Sequence, residues 1–161
     1  MSAAITLMSK ERGGPKIDFQ VLFYPVTDAN FTTESYNKFE TKHFLSREAM
    51  KWFWNQYTSN DAERKEPTAS PLQASLEQLK GLPPAMVFTA ENDVLRDEGE
   101  AYAHKLIEAG VEVKAVRCLG TIHDFVMLHA LMDTPAARFA VETASAALKE
   151  HLHAATAAAV R

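Results

Sequence analysis

The sequence predicts an α/β fold in which three parallel strands carry helices on both faces. Hydrophobic spacing switches repeatedly between a helical 3–4 period and short apolar runs, in the order helix, strand, helix, strand, helix, strand, helix. The apolar runs fall near 17–25, 85–90 and 111–118, and the stretches between them are long enough for right-handed crossovers joining consecutive parallel strands. At 161 residues, with 47% hydrophobic and 24% charged residues, the chain has the size and composition of one folded domain around one core.

Residues 2–12 place Ala3 with Leu7 and Ala4 with Met8, a helical spacing that Gly13-Gly14-Pro15 stops. Ile17 to Pro25 ends in the run Val21-Leu22-Phe23-Tyr24, suited to a central strand buried on both faces. A polar loop leads to Ser46, the predicted N-cap of a helix with Met50, Phe53, Trp54 and Tyr57 on one face. Trp52, Phe53 and Trp54 are read as core rather than as an acyl pocket. Asn60 to Pro71, charged and bounded by proline, reads as surface loop. Ala85–Ala90 is the second strand, and Asp97 with Glu100 three residues later predicts a reciprocal cap on the next helix, which Gly110 closes. Residues 111–118 form the third strand with a wetter face near a sheet edge, and Gly120 is expected to break it. Phe125–Met132 looks helical. Thr134 and Pro135 then start a last helix whose face carries Phe139, Ala140, Ala144, Ala147, Leu148 and Leu152.

A net charge of −4 offers no basic footprint for nucleic acid or an anionic membrane surface. The single cysteine, Cys118, excludes an internal disulfide and any multi-cysteine metal site, and is expected to be a small buried hydrophobe. No apolar run reaches the roughly 18 residues of a membrane span, and the first residues lack the order of a signal peptide. A reducing, cytoplasmic setting is the expectation.

Open parallel sheets place functional groups beyond the C-terminal ends of their strands, where Asp93 and His123 fall. An Asp accepting from one imidazole nitrogen orients the ring, so that the other nitrogen can relay a proton to and from a hydroxyl. On spacing alone two readings stand: two thirds of a nucleophilic triad, or a turn-forming Asp beside a solvated loop His. His151 and His153 diverge by about 200° on a helix, so no metal site is expected there. The acidic group Glu91, Asp93, Asp97, Glu98 and Glu100 lacks a cation-ligand spacing, and no cofactor is expected.

Around these residues Tyr24-Pro25, Ala69-Ser70-Pro71-Leu72, Gly81-Leu82-Pro83-Pro84, Glu91-Asn92-Asp93-Val94-Leu95-Arg96-Asp97-Glu98-Gly99 and Gly120-Thr121-Ile122-His123-Asp124-Phe125 resemble the C-terminal half of an α/β-hydrolase. The branch it resembles is the hormone-sensitive-lipase-like bacterial carboxylesterases, over roughly residues 1–152, with 153–161 an Ala-rich tail. The resemblance implies Asp93 as catalytic acid and His123 as general base of a Ser-His-Asp triad acting on short acyl esters. It also implies a Gly-x-Ser-x-Gly nucleophile elbow and a His-Gly-Gly-Gly oxyanion loop, and this sequence has neither. None of its serines has the flanking glycines of an elbow, and the first helix resembles the one that leaves the elbow. Asp124 stands where the family most often has Gly. The expectation is a carboxylic-ester hydrolase segment, inactive alone, whose partners are a small ester and either a second copy or the N-terminal half. The alternative is a catalytically inactive truncated α/β domain that self-associates.

Overall fold

The computed structural model describes residues 1–159, with side chains described as far as Leu152. The Ala-rich stretch 153–161 therefore lies outside the described side chains. Three strands, β1 (Gln20–Phe23), β2 (Ala85–Asn92) and β3 (Val113–Ile122), form one sheet in the order β1-β2-β3. Both pairings are parallel, with Gln20 beside Ala85 and Ala85 beside Val113. The helices are α1 (Ser2–Glu11), α2 (Glu34–Lys38), α3 (Arg47–Tyr57), α4 (Asp61–Arg64), α5 (Leu76–Leu79), α6 (Arg96–Glu108) and α7 (Pro135–Ala159).

Alternation along the strands divides the core between the two faces of the sheet. Leu22, Ala85 and Val87 pack with Ala3 and Leu7 of α1 and with Tyr102, Ala103 and Leu106 of α6. Met86, Phe88, Ala90 and Cys118 turn the other way, onto Ala137, Ala140, Ala144 and Ala147 of α7. The small side chains let α7 lie close to the sheet, while Phe139, Leu148 and Leu152, expected on its buried face, stay 49%, 38% and 61% exposed. Burial of each large side chain such as Leu7 or Phe88 stabilises the fold by roughly 1.5–3 kcal/mol.

A third apolar cluster, Tyr36, Phe39, Leu45, Met50, Trp54, Val94 and Leu95, seats the segment between β1 and β2 above the strand ends. The polar loop expected there contains α2, capped by the Thr33 hydroxyl. The surface loop expected at 60–71 contains the single turn α4, whose first amides donate to the Asn60 side chain. Ser46 caps α3 as expected. Trp54 is buried on that helix, but Trp52 and Phe53 are 57% and 53% exposed, so the core reading holds for one of the three aromatics.

The reciprocal cap expected from Asp97 and Glu100 does not form. Leu95 is the N-cap of α6, Asp97 Oδ2 accepts the Ser35 amide of α2, and Glu100 accepts from Thr89 and Arg117. Two further expectations fail near the C-terminal end of the sheet. Gly120 does not end the third strand: β3 continues to Ile122 through an irregularity in its pairing between Ala90 and Asn92. Residues 125–132 are turns with a 3-10 segment at His129–Leu131 rather than a helix. No helix of the described residues is long and apolar enough to cross a membrane.

Candidate active site

Asp93 is the first residue beyond β2 and is buried, with 1% of its surface exposed. Its Oδ1 accepts the Leu95 amide at 3.0 Å and its carbonyl accepts the Arg96 amide at 3.2 Å, forming the turn that starts α6. The second carboxylate oxygen, Oδ2, is 2.8 Å from Nδ1 of His123. Asp93 is thus both the turn residue and the imidazole's partner, so the two readings open in the sequence are not exclusive.

His123 is carried to this point by the extension of β3. Gly120 takes φ +71, a left-handed conformation that glycine adopts without a Cβ penalty, and its amide donates to Glu91 Oε2 at 2.6 Å. The bulge re-aims the strand, and His123 leaves its end facing the end of β2. Tyr24, just past β1, meets the imidazole edge-on with centroids 4.7 Å apart. Burial, then the negative charges of Asp124 and Asp93, push the Tyr24 hydroxyl up to about 12. A carboxylate at Nδ1 makes that nitrogen the donor and leaves Nε2 with a free lone pair, the form a general base requires. Asp124, at φ +62, brings Oδ1 to 3.5 Å from Nε2, beyond hydrogen-bond length.

His123 and Asp124 form the polar end of a cavity of about 440 Å3, otherwise lined by apolar side chains including Val26, Met50 and Phe53. A second apolar cavity of about 310 Å3 shares those three residues and extends to Met1, Ala4 and Tyr57. Val26 is held by the loop after β1, whose Thr27 and Asp28 amides donate to Glu98 Oε1 at 2.6 and 3.1 Å. The buried Tyr36 hydroxyl lies close enough to the Glu98 carboxyl to feel its charge, and neither that hydroxyl nor Glu98 Oε2 makes a hydrogen bond among the described residues. Burial, reinforced by Asp28 and Asp93, pushes the Glu98 carboxyl up to about 8 against the pull of the two amides.

Tyr24, Glu91 and Glu98 were not singled out by sequence reasoning as supports of the site. Glu98 had a readable signal, since it stands on the apolar stripe of Leu95, Tyr102 and Leu106 at helical spacing. The remaining expectations lie outside the site. Cys118 is buried and its thiol is raised by burial. His151 stacks on Phe19 with centroids 4.1 Å apart, the His153 side chain lies outside the described residues, and no metal-binding group of side chains occurs among those described.

A parallel sheet with helices on both faces, and a carboxylate–imidazole pair at adjacent strand ends, define a chain of the α/β-hydrolase class. It belongs to the alpha/beta hydrolase fold family, in the hormone-sensitive-lipase-like branch, and the family pattern matches residues 1–127. A crystal structure of a thermostable esterase from Pseudomonas putida is similar at 55% identity and TM-score 0.92, covering 93% of this chain and 47% of the esterase. The vegetative-specific protein H5 of Dictyostelium discoideum is 49% identical over 79% of this chain and 38% of its own length. The ethyl acetate hydrolase of Pseudomonas putida is 35% identical over 77% of this chain and 38% of its own. The chain therefore spans between about two fifths and one half of the relatives it matches.

Proposed function

We propose that this chain supplies the acid and the general base of a carboxylic-ester hydrolase. Asp93 holds His123 through Nδ1, and His123 uses Nε2 to take the proton of a nucleophilic serine and to return it to the departing alcohol. The observation that carries the reading is the 2.8 Å contact between Asp93 Oδ2 and His123 Nδ1, beside an apolar cavity that His123 lines. The adjoining cavities suit the two hydrocarbon parts of a small ester on either side of a carboxyl group. Alone, the chain has no serine in an elbow and no oxyanion loop, and so lacks the groups that form and stabilise the acyl-enzyme. The nucleophile would come from a segment bearing Gly-x-Ser-x-Gly, in the same polypeptide or in a partner. Its expected setting is cytoplasmic.

The deciding experiment compares p-nitrophenyl ester hydrolysis by the 161-residue chain and by the same chain joined to such a segment. The reading requires background rates from the first and turnover by the second that His123→Ala removes. Robust turnover by the chain alone, or turnover by the joined protein that survives His123→Ala, would refute it.

A further inference from the structure

We propose that the cavity beside His123 selects esters bearing an alkylammonium group, with Asp124 as counter-ion and the rings of Phe44 and Phe53 as cation-binding walls. The inference rests on the ester-hydrolase reading and specifies the substrate class of the same cavity. Its lining is sharply divided: Val26, Leu45, Leu95 and other apolar side chains form the walls, and the polar lining is His123 and Asp124. Phe44 and Phe53 line this space while remaining 60% and 53% exposed, so a ligand entering it removes aromatic surface from water. An aromatic face attracts a positive charge through its quadrupole, and the attraction grows as water is excluded.

The electrostatics at the polar end point the same way. The Asp124 side chain is 34% exposed, with its Oδ1 3.5 Å from Nε2 of His123. Asp93 adds a second carboxylate on the other side of the imidazole, its Oδ2 2.8 Å from Nδ1 of His123. The nearby guanidinium of Arg96 is engaged by Asp97 and the Glu91 carbonyl and lies over Phe39. Among the described residues no lysine or arginine lines the cavity. A purely hydrocarbon ligand would desolvate the Asp124 carboxylate without compensation, whereas an alkylammonium ligand offers the hydrocarbon the walls require and the charge the carboxylate requires. Asp124 also occupies a positive-φ site that few residues other than glycine, asparagine and aspartate adopt readily.

The test uses two intact esters that differ only in a nitrogen cation replacing a carbon: acetylcholine and 3,3-dimethylbutyl acetate. Binding of each to the 161-residue chain is followed by calorimetry and by NMR of the phenylalanine rings at neutral pH. Acetylcholine is expected to bind about tenfold more tightly at low ionic strength, with the gap narrowing as salt is added. Asp124→Asn, which tolerates the same backbone, should bring the two affinities together. Equal or tighter binding of the neutral ester, a preference that persists in Asp124→Asn, or binding of neither would overturn the inference. The underlying reading is judged separately by His123-dependent turnover of a neutral p-nitrophenyl ester, which would stand if only the cation preference failed.

Discussion

The Glu91 carboxylate accepts the amide of Gly120 across the paired ends of β2 and β3, pinning the bulge from which His123 departs. A Cβ added at Gly120 meets nothing within 4 Å, so the cost of Gly120→Ala is conformational, from φ +71 rather than from a clash. The expected loss is about 1–2 kcal/mol. Urea unfolding measures it, and a shift of the His123 ring resonances should accompany it. A variant as stable as the parent would show that the bulge relaxes freely.

Glu98 couples stability to pH. Its folded carboxyl is raised from the ordinary 4.5 to about 8, so the stability it contributes is complete below the lower value and is lost as pH rises toward the higher one. Glu98→Gln keeps an oxygen for the Thr27 and Asp28 amides and removes the titration. The variant should exceed the parent in stability at alkaline pH by roughly 1–3 kcal/mol, the gap closing as the pH falls through the acid range. Parallel stability curves for the two proteins would contradict this account.

In a protein that also carries the nucleophile, Asp93→Asn should keep the acceptor for the Leu95 amide and so preserve the fold. It loses the charge that fixes the imidazole tautomer, and kcat should fall by roughly 10³–10⁴-fold with Tm little changed. A tenfold effect or less would demote Asp93 to a turn residue.

Within the described sheet β1 and β3 are the outer strands, and each has one side without a strand partner. Unpaired strand edges beside apolar surface favour pairing with another chain. The expected outcome of size-exclusion chromatography with light scattering at low micromolar concentration is a dimer or larger species. A stable monomer would show that these edges are self-sufficient.

Much of the sheet was legible because its signals are local. The run Val21–Tyr24 and the stretch Ala85–Ala90 are apolar whatever surrounds them, and the Thr134-Pro135 start of α7 is borne out by the Ala137 amide donating to the Thr134 hydroxyl. What escaped depends on partners distant in sequence. Asp97 and Glu100 have the right spacing for a cap, but Ser35 and Arg117 outcompete the local amides. Gly120 reads as a stop unless the Glu91 carboxylate that stabilises a bulge is known. The Asp93–His123 contact was anticipated from strand-end placement together with the family resemblance, whereas Tyr24 lies against the same imidazole through a positive φ that a Tyr before Pro gives no reason to expect.

The short stretch from Asp93 to Glu98 grips three separate parts of the chain: His123 after β3, the Ser35 amide in α2, and the Thr27–Asp28 amides after β1. Its grip depends on the angular phase of one helical turn. An insertion of a single residue between Asp93 and Asp97 would rotate the later carboxylates by about 100° relative to the first, so they could not all meet their present partners together. Substitutions there can be graded, but changes of length cannot. Among comparable sequences the length of this stretch should therefore stay fixed, with variation confined to residues other than its three gripping carboxylates.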